Sequence, residues 1–263
     1  MPSSAALRLK IETDLQHRYP SALTPAPRTI RDVAPTGISS LDELLQGGFP
    51  VGAISELTGP VCSGRTNITL AFVANRTTDG NVCAWVDAAD AFDPESAAAN
   101  GISLRHLLWV RCADKSAARQ AAKSHKTSAK QSQPWVRLDQ AIRATDLLLQ
   151  AGGFAAIVLD LADEEIEHAR RIPLATWFRF RQAAHRTRSS LIVLGRTSFA
   201  QSSASLVLEC RPGGMDESPN VIREFSYSVQ RSRERFSPVT SITRKPPVST
   251  WQSQSPWYME KRA

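Results

Sequence analysis

The chain has 263 residues, 42% of them hydrophobic, enough for one sizeable α/β domain with appendages. Its formal charge of +7 suits an anionic partner, although surplus basic charge is also a common solubility feature. Cys62, Cys83, Cys112 and Cys210 form no C-x-x-C pair, which argues against a zinc site or a disulfide framework and fits a reducing, cytoplasmic setting. The first residues lack the apolar run of a signal peptide, and no segment approaches membrane-spanning length, so no membrane contact is expected.

Taken in chain order, Leu7, Ile11 and Leu15 recur every four residues and predict a short amphipathic helix stopped by Pro20. A proline-containing connector follows, so residues 1–35 read as an N-terminal helix and linker. From Thr36 the signals alternate: a helix at Leu41–Leu45, strands at Ile54–Thr58, Val82–Asp87 and Leu107–Arg111, and a helix at Thr66–Arg76. Residues 53–58 alternate apolar and polar side chains, as a short strand would.

Between Ala113 and Pro134, five basic residues (Lys115, Arg119, Lys123, Lys126, Lys130) stand against Asp114 alone, a local charge of +4. With no apolar period, this stretch reads as a solvated basic loop. A helix at Leu138–Gln150, a strand at Ala155–Asp160, a helix at Pro173–Arg186 and a strand at Ser190–Leu194 come next, with a further strand at Ala204–Glu209. Strands alternating with helices predict a mostly parallel central sheet covered on both faces. Residues 36–210 thus form one α/β core. Residues 211–263 read as a strand pair, near Glu224–Gln230 and Val239–Thr243, followed by an extended tail.

The chemistry concentrates at Gly59-Pro60-Val61-Cys62-Ser63-Gly64-Arg65-Thr66. This is the phosphate-binding pattern G-x-x-x-x-G-K-[ST] with arginine in place of lysine, between a strand and a helix as the pattern requires. Gly59, Ser63, Gly64 and Thr66 keep the backbone cradle and the hydroxyl that would face Mg²⁺. Arg65 keeps the charge, but its planar fork places donors differently from an ammonium. The run Phe154–Asp160 has the form of the second phosphate-site motif, a strand-end carboxylate (Asp160) near the metal. The loop is built to hold an anion and poorly built to cleave one, so ATP with Mg²⁺ is expected to bind weakly at best, with no cofactor certain.

Thr36-Gly37-Ile38-Ser39-Ser40-Leu41-Asp42, Gly47-Gly48-Phe49-Pro50-Val51-Gly52, the loop, and Val86-Asp87-Ala88-Ala89-Asp90-Ala91-Phe92-Asp93-Pro94 follow one another as in the RecA recombinase core. From about Arg28 to Cys210 the chain resembles ImuA-type RecA-like proteins of bacterial mutagenesis cassettes. The resemblance implies a RecA-like P-loop fold and a DNA-damage-induced role in translesion synthesis. It also implies partnership with the polymerase-related protein ImuB, with RecA, and indirectly with an error-prone C-family polymerase.

Within that resemblance, the position of the water-activating glutamate falls on Ala89, whose methyl group cannot act as a base. Asp90 lies one residue away, where a strand end usually reverses side-chain direction, so a replacement base would be Asp90 in an irregular turn or another carboxylate. The γ-phosphate sensor position appears as Gly195-Arg196. The first DNA loop, Leu161–Ile172, carries Asp163, Glu164, Glu165 and Glu167, which suits phosphate badly, and the second is reduced to about Thr197–Ser203.

Other basic residues lie at Arg179, Arg181, Arg231, Arg233 and Arg235, as solvated faces or weak DNA contacts. The resemblance therefore implies a non-catalytic adaptor, with a filament-forming recombinase-type ATPase as the alternative. Partner contact is assigned to the chain ends: Leu7, Ile11 and Leu15 in the helix, and Trp251, Trp257 and Tyr258 in the tail, aromatics being favoured interface anchors. The same groups could pack on their own core.

Overall fold

The computed structural model describes residues 13–14, 32–112, 134–218, 221–234 and 248–254. Contacts divide the chain into two units. In the first, Met1–Arg31 with Phe236–Ile242, only Thr13 and Asp14 are described, and both are helical. Leu7, Ile11, Leu15, the Lys115–Lys130 loop, Val239–Thr243, Trp257 and Tyr258 lie outside the described residues.

The second unit is an α/β fold. It opens with β1 (Val33–Ala34), α1 (Ser39–Leu44) and β2 (Phe49–Pro50), a small antiparallel pair with a one-and-a-half-turn helix between its strands. Asp42 fixes this turn by accepting hydrogen bonds from both the backbone nitrogen and the hydroxyl of Thr36, each at 2.7 Å.

Then come β3 (Ile54–Thr58), α2 (Arg65–Thr78), β4 (Cys83–Asp87), α3 (Pro94–Ala99) and β5 (Leu107–Arg111). The series continues with α4 (Pro134–Ala151), β6 (Ala156–Asp160), α5 (Ile166–Ala169), α6 (Leu174–Thr187) and β7 (Ser190–Gly195). The last described elements are β8 (Leu206–Ser218), β9 (Val221–Glu234) and β10 (Val248–Gln254).

These strands, apart from β1 and β2, form one sheet in the order β10-β9-β8-β3-β7-β6-β4-β5. The six strands from β8 to β5 run parallel, and β9 and β10 add on antiparallel. Alternate residues of the parallel strands feed two cores. Ile54, Val86, Leu159 and Val193 pack under α4 and α6, with Trp177 and Phe180. Leu57, Trp85, Val158 and Leu194 pack under α2, with Ile68 and Phe72. Burial on both faces is what makes β6 and β7 read as unbroken apolar runs.

The strand expected at Ile54–Thr58 is present as β3: it lies between β7 and β8, and all five residues are buried, Ser55 and Glu56 included. Within the expected C-terminal tail, Val248–Gln254 pairs along β9 as β10 and forms an edge of the sheet, while the Val239–Thr243 half of the expected strand pair lies outside the described residues.

Candidate functional site

β3 delivers the chain to the C-terminal edge of the parallel strands, where the Gly59–Thr66 loop turns into α2. Gly59 has φ 153°, and a Cβ there would stand 2.2 Å from the Cys210 carbonyl of β8, so only glycine fits. Gly64, at the N-cap of α2, has φ 84°, and its missing Cβ would meet the Tyr227 ring of β9 at 2.8 Å. Tyr227 is 8% exposed. Burial, and secondarily Cys62, push its phenol above the usual range. Ser63 is buried, and its Oγ meets no hydrogen-bond partner among the described residues, while Thr66 is exposed.

Arg65 does not reach along the loop. It is buried, and its Nη1 donates to the main-chain carbonyl of Gly195 at the end of β7. Burial lowers its pKa, against the pull of Asp160, Cys210 and Asp163. Asp160, on β6, accepts from the Ala162 backbone nitrogen at 3.0 Å. Loss of solvent, then the charges of Asp87 and Asp163, push its carboxyl up to about 6, with Arg65 pulling it back. The structure thus gathers Gly59, Ser63, Gly64, Arg65 and Asp160 at one strand edge.

The turn after β4 and the end of β7 hold the positions expected for the water-activating base and the phosphate sensor. Asp87, fully buried, accepts from the backbone nitrogens of Ala91 and Phe92 at 3.0 and 2.9 Å and from Trp109 Nε1 at 3.3 Å. It fixes the turn that carries Ala89 and Asp90. Asp90 is not free to act as a base: Arg111 donates to both its oxygens, at 2.6 and 2.7 Å, and holds its carboxyl below the usual range. Arg111 itself sits 4.8 Å over the Trp109 ring. At Gly195 a side chain has no room, because a Cβ would meet Phe199 Cε2 at 2.6 Å. The neighbouring Arg196 donates from Nε to the Ala162 carbonyl at 3.3 Å.

Glu56 was not singled out from the sequence, yet it ties the site together. It is 1% exposed and accepts from Ser198 Oγ at 2.5 Å and from the backbone nitrogens of Phe199 and Ala200 at 2.7 and 2.8 Å. The strand leading into the loop is thereby pinned to the segment following β7. The available signal was a carboxylate in mid-strand, which must be paired if buried.

The remaining charges give little to an extended anion. In the acidic loop, Glu164 turns inward, and burial raises its pKa, while Glu165 pairs with His168 and Glu167 with Arg170 at 3.5 and 3.7 Å. Arg231 and Arg233 donate to the carbonyls of Leu44 and Gln201, at 3.2 and 2.5 Å. Trp251 stands in β10 directly across from Tyr227 in the strand register. Among the described residues no three His, Cys, Asp or Glu side chains gather as a metal site, and no helix is long and apolar enough to cross a membrane.

The RecA N-terminal domain family model matches residues 22–129. Protein RecA of Methylococcus capsulatus is 36% identical over 130 residues, 49% of this chain and 31% of that protein. Protein RecA of Prochlorococcus marinus is 42% identical over 86 residues, 33% of this chain and 23% of that protein. The chain spans about a third or less of the length of these relatives. Among solved structures, the crystal structure of the RadB recombinase aligns with a TM-score of 0.55 at 19% identity, covering 83% of this chain and 94% of that one. At that identity the likeness speaks to fold. Together these matches support the RecA superfamily.

Proposed function

We propose that this RecA-superfamily chain is a non-catalytic adaptor in DNA-damage-induced translesion synthesis, an ImuA-type protein that binds ImuB, RecA or both in the cytoplasm. The observation that carries the reading is the hydrogen bond from Arg65 to the Gly195 carbonyl. The cation that should meet the terminal phosphates is held by the sheet, and Tyr227 leans on the glycine that opens α2. Ala89 offers no base, Asp90 is bound to Arg111, and Gly195 has no room for a sensor side chain. Asp160 and Thr66 could face Mg²⁺, but the loop as folded does not fit efficient turnover of a nucleoside triphosphate, and no catalytic step is assigned to it.

The competing reading is a recombinase-type ATPase on single-stranded DNA, favoured by the family match spanning the whole phosphate loop. Two measurements on the purified full chain separate them: ATP turnover with and without single-stranded DNA, and binding to purified ImuB and RecA. Background turnover with partner binding supports the adaptor. DNA-stimulated turnover with continuous filaments on single-stranded DNA would refute it. Tests of the tail should truncate after Gln254, because cutting earlier removes β10 and confounds binding with unfolding.

A further inference from the structure

Helix α6 is basic and carries no carboxylate: its charged side chains are Arg179, Arg181, His185 and Arg186. Its inner face, with Trp177, Phe180, Ala183 and Ala184, is spent on the core. Arg179 is neutralised by Asp146 of α4 at 3.0 Å. The face turned from the core presents Leu174 and Phe178, 55% and 47% exposed and one helical turn apart. Arg181 follows on the same side and lays its guanidinium 4.8 Å over the Phe178 ring. A stacked guanidinium keeps its in-plane N–H donors available for a carboxylate.

We propose that the Leu174–Phe178–Arg181 stripe of α6 docks an acidic amphipathic segment of a partner protein. Apolar side chains of the partner cover Leu174 and Phe178, and a carboxylate meets Arg181. The charge complementarity selects an acidic occupant, since Arg181 and Arg186 have no carboxylate of their own among the described ion pairs. The apolar area selects protein over nucleic acid: a phosphate backbone has nothing to bury on a leucine, and Arg181 already covers one face of Phe178. This surface is independent of the phosphate loop and of whether ImuB or RecA is the partner.

The test uses the full chain and a fluorescein-labelled synthetic helix with leucine and tryptophan at i, i+4 and glutamates flanking them, followed by anisotropy. A scrambled peptide of the same composition and a single-stranded oligonucleotide serve as controls. The double variant L174S/F178S should weaken peptide binding by about tenfold or more, because both contacts are lost. R181E should weaken it similarly and regain binding to the same peptide with lysine in place of glutamate. Both variants should keep the parent Tm, since these side chains are exposed. Equal binding of the scrambled peptide, unchanged affinity in both variants, or displacement by the oligonucleotide at equal concentration overturns the proposal. So does self-association in sedimentation that L174S/F178S abolishes, for then a second copy of the chain is the occupant.

Discussion

The ring of Tyr227 rests on the backbone of Gly64, although the two residues lie far apart in the sequence. Gly64→Ala must therefore put a methyl group into the ring and hold alanine at φ 84°. The left-handed conformation costs about 1 kcal/mol and the overpacking about 1–3 kcal/mol more. Urea unfolding should show a loss of ~2–4 kcal/mol. In the Tyr227→Ala background the overpacking part should vanish, giving a non-additive double-mutant cycle. Additive losses would mean that the ring does not press on the glycine.

Arg65→Lys restores the residue of the phosphate-loop pattern, yet steady-state ATP turnover should stay at background, because Ala89 and Gly195 remain unchanged. Arg65→Ala should cost ~1–3 kcal/mol of stability by leaving the Gly195 carbonyl without its buried donor. A large gain in turnover from the lysine alone would show that the arginine was the single obstacle.

Asp160 makes stability depend on pH in a direction unusual for a carboxylate. Its pKa is about 6 folded and about 3.9 in an unfolded chain. Between those values the folded state holds more protons than the unfolded one, so this residue's contribution falls as pH rises from about 4 to 6 and stays lost above that. Asp160→Asn should thus melt higher than the parent at pH 7.5, with the advantage shrinking toward pH 4. A variant less stable than the parent at every pH would contradict this, and would make the charge on Asp160 a necessary partner of Arg65.

Glu56→Gln keeps the shape but replaces one acceptor oxygen with an NH₂ group facing N–H donors. Hydrogen exchange at the Phe199 and Ala200 amides should accelerate, and the global stability loss should be ~2–4 kcal/mol. If exchange at these amides is unchanged, Glu56 is not what holds the segment after β7.

Local patterns carried much of this architecture. Ile54–Thr58 and Leu107–Arg111 were legible to the residue, the first as an alternating segment stopped by Gly59 and the second as a short, mostly apolar run. The arginine in the phosphate loop was also plain. Its direction was not, since the Gly195 carbonyl that captures it lies 130 residues away. Glu56 and Tyr227 were missed for the same reason: their partners are set by which strands become neighbours, and β8 and β9 join the sheet only through tertiary pairing. Asp93 was read only as part of a family motif, yet it also caps α3, accepting from the backbone nitrogens of Glu95 and Ser96.

The position of β3 also governs how the protein must be made. Among the described residues it is the first strand of the large sheet, and its neighbours are β7 and β8, with Ser55 opposite Ile192 on one side and Leu206 on the other. A ribosome adding roughly 5–20 residues per second needs about 8–30 s to travel from the first of these strands to the last. Until β7 is made β3 has both edges open, and until β8 is made it still has one. Pairings this distant in sequence fold slowly and expose sticky edges meanwhile. The yield of folded protein should therefore respond to chaperone supply and growth temperature more steeply than its final stability suggests.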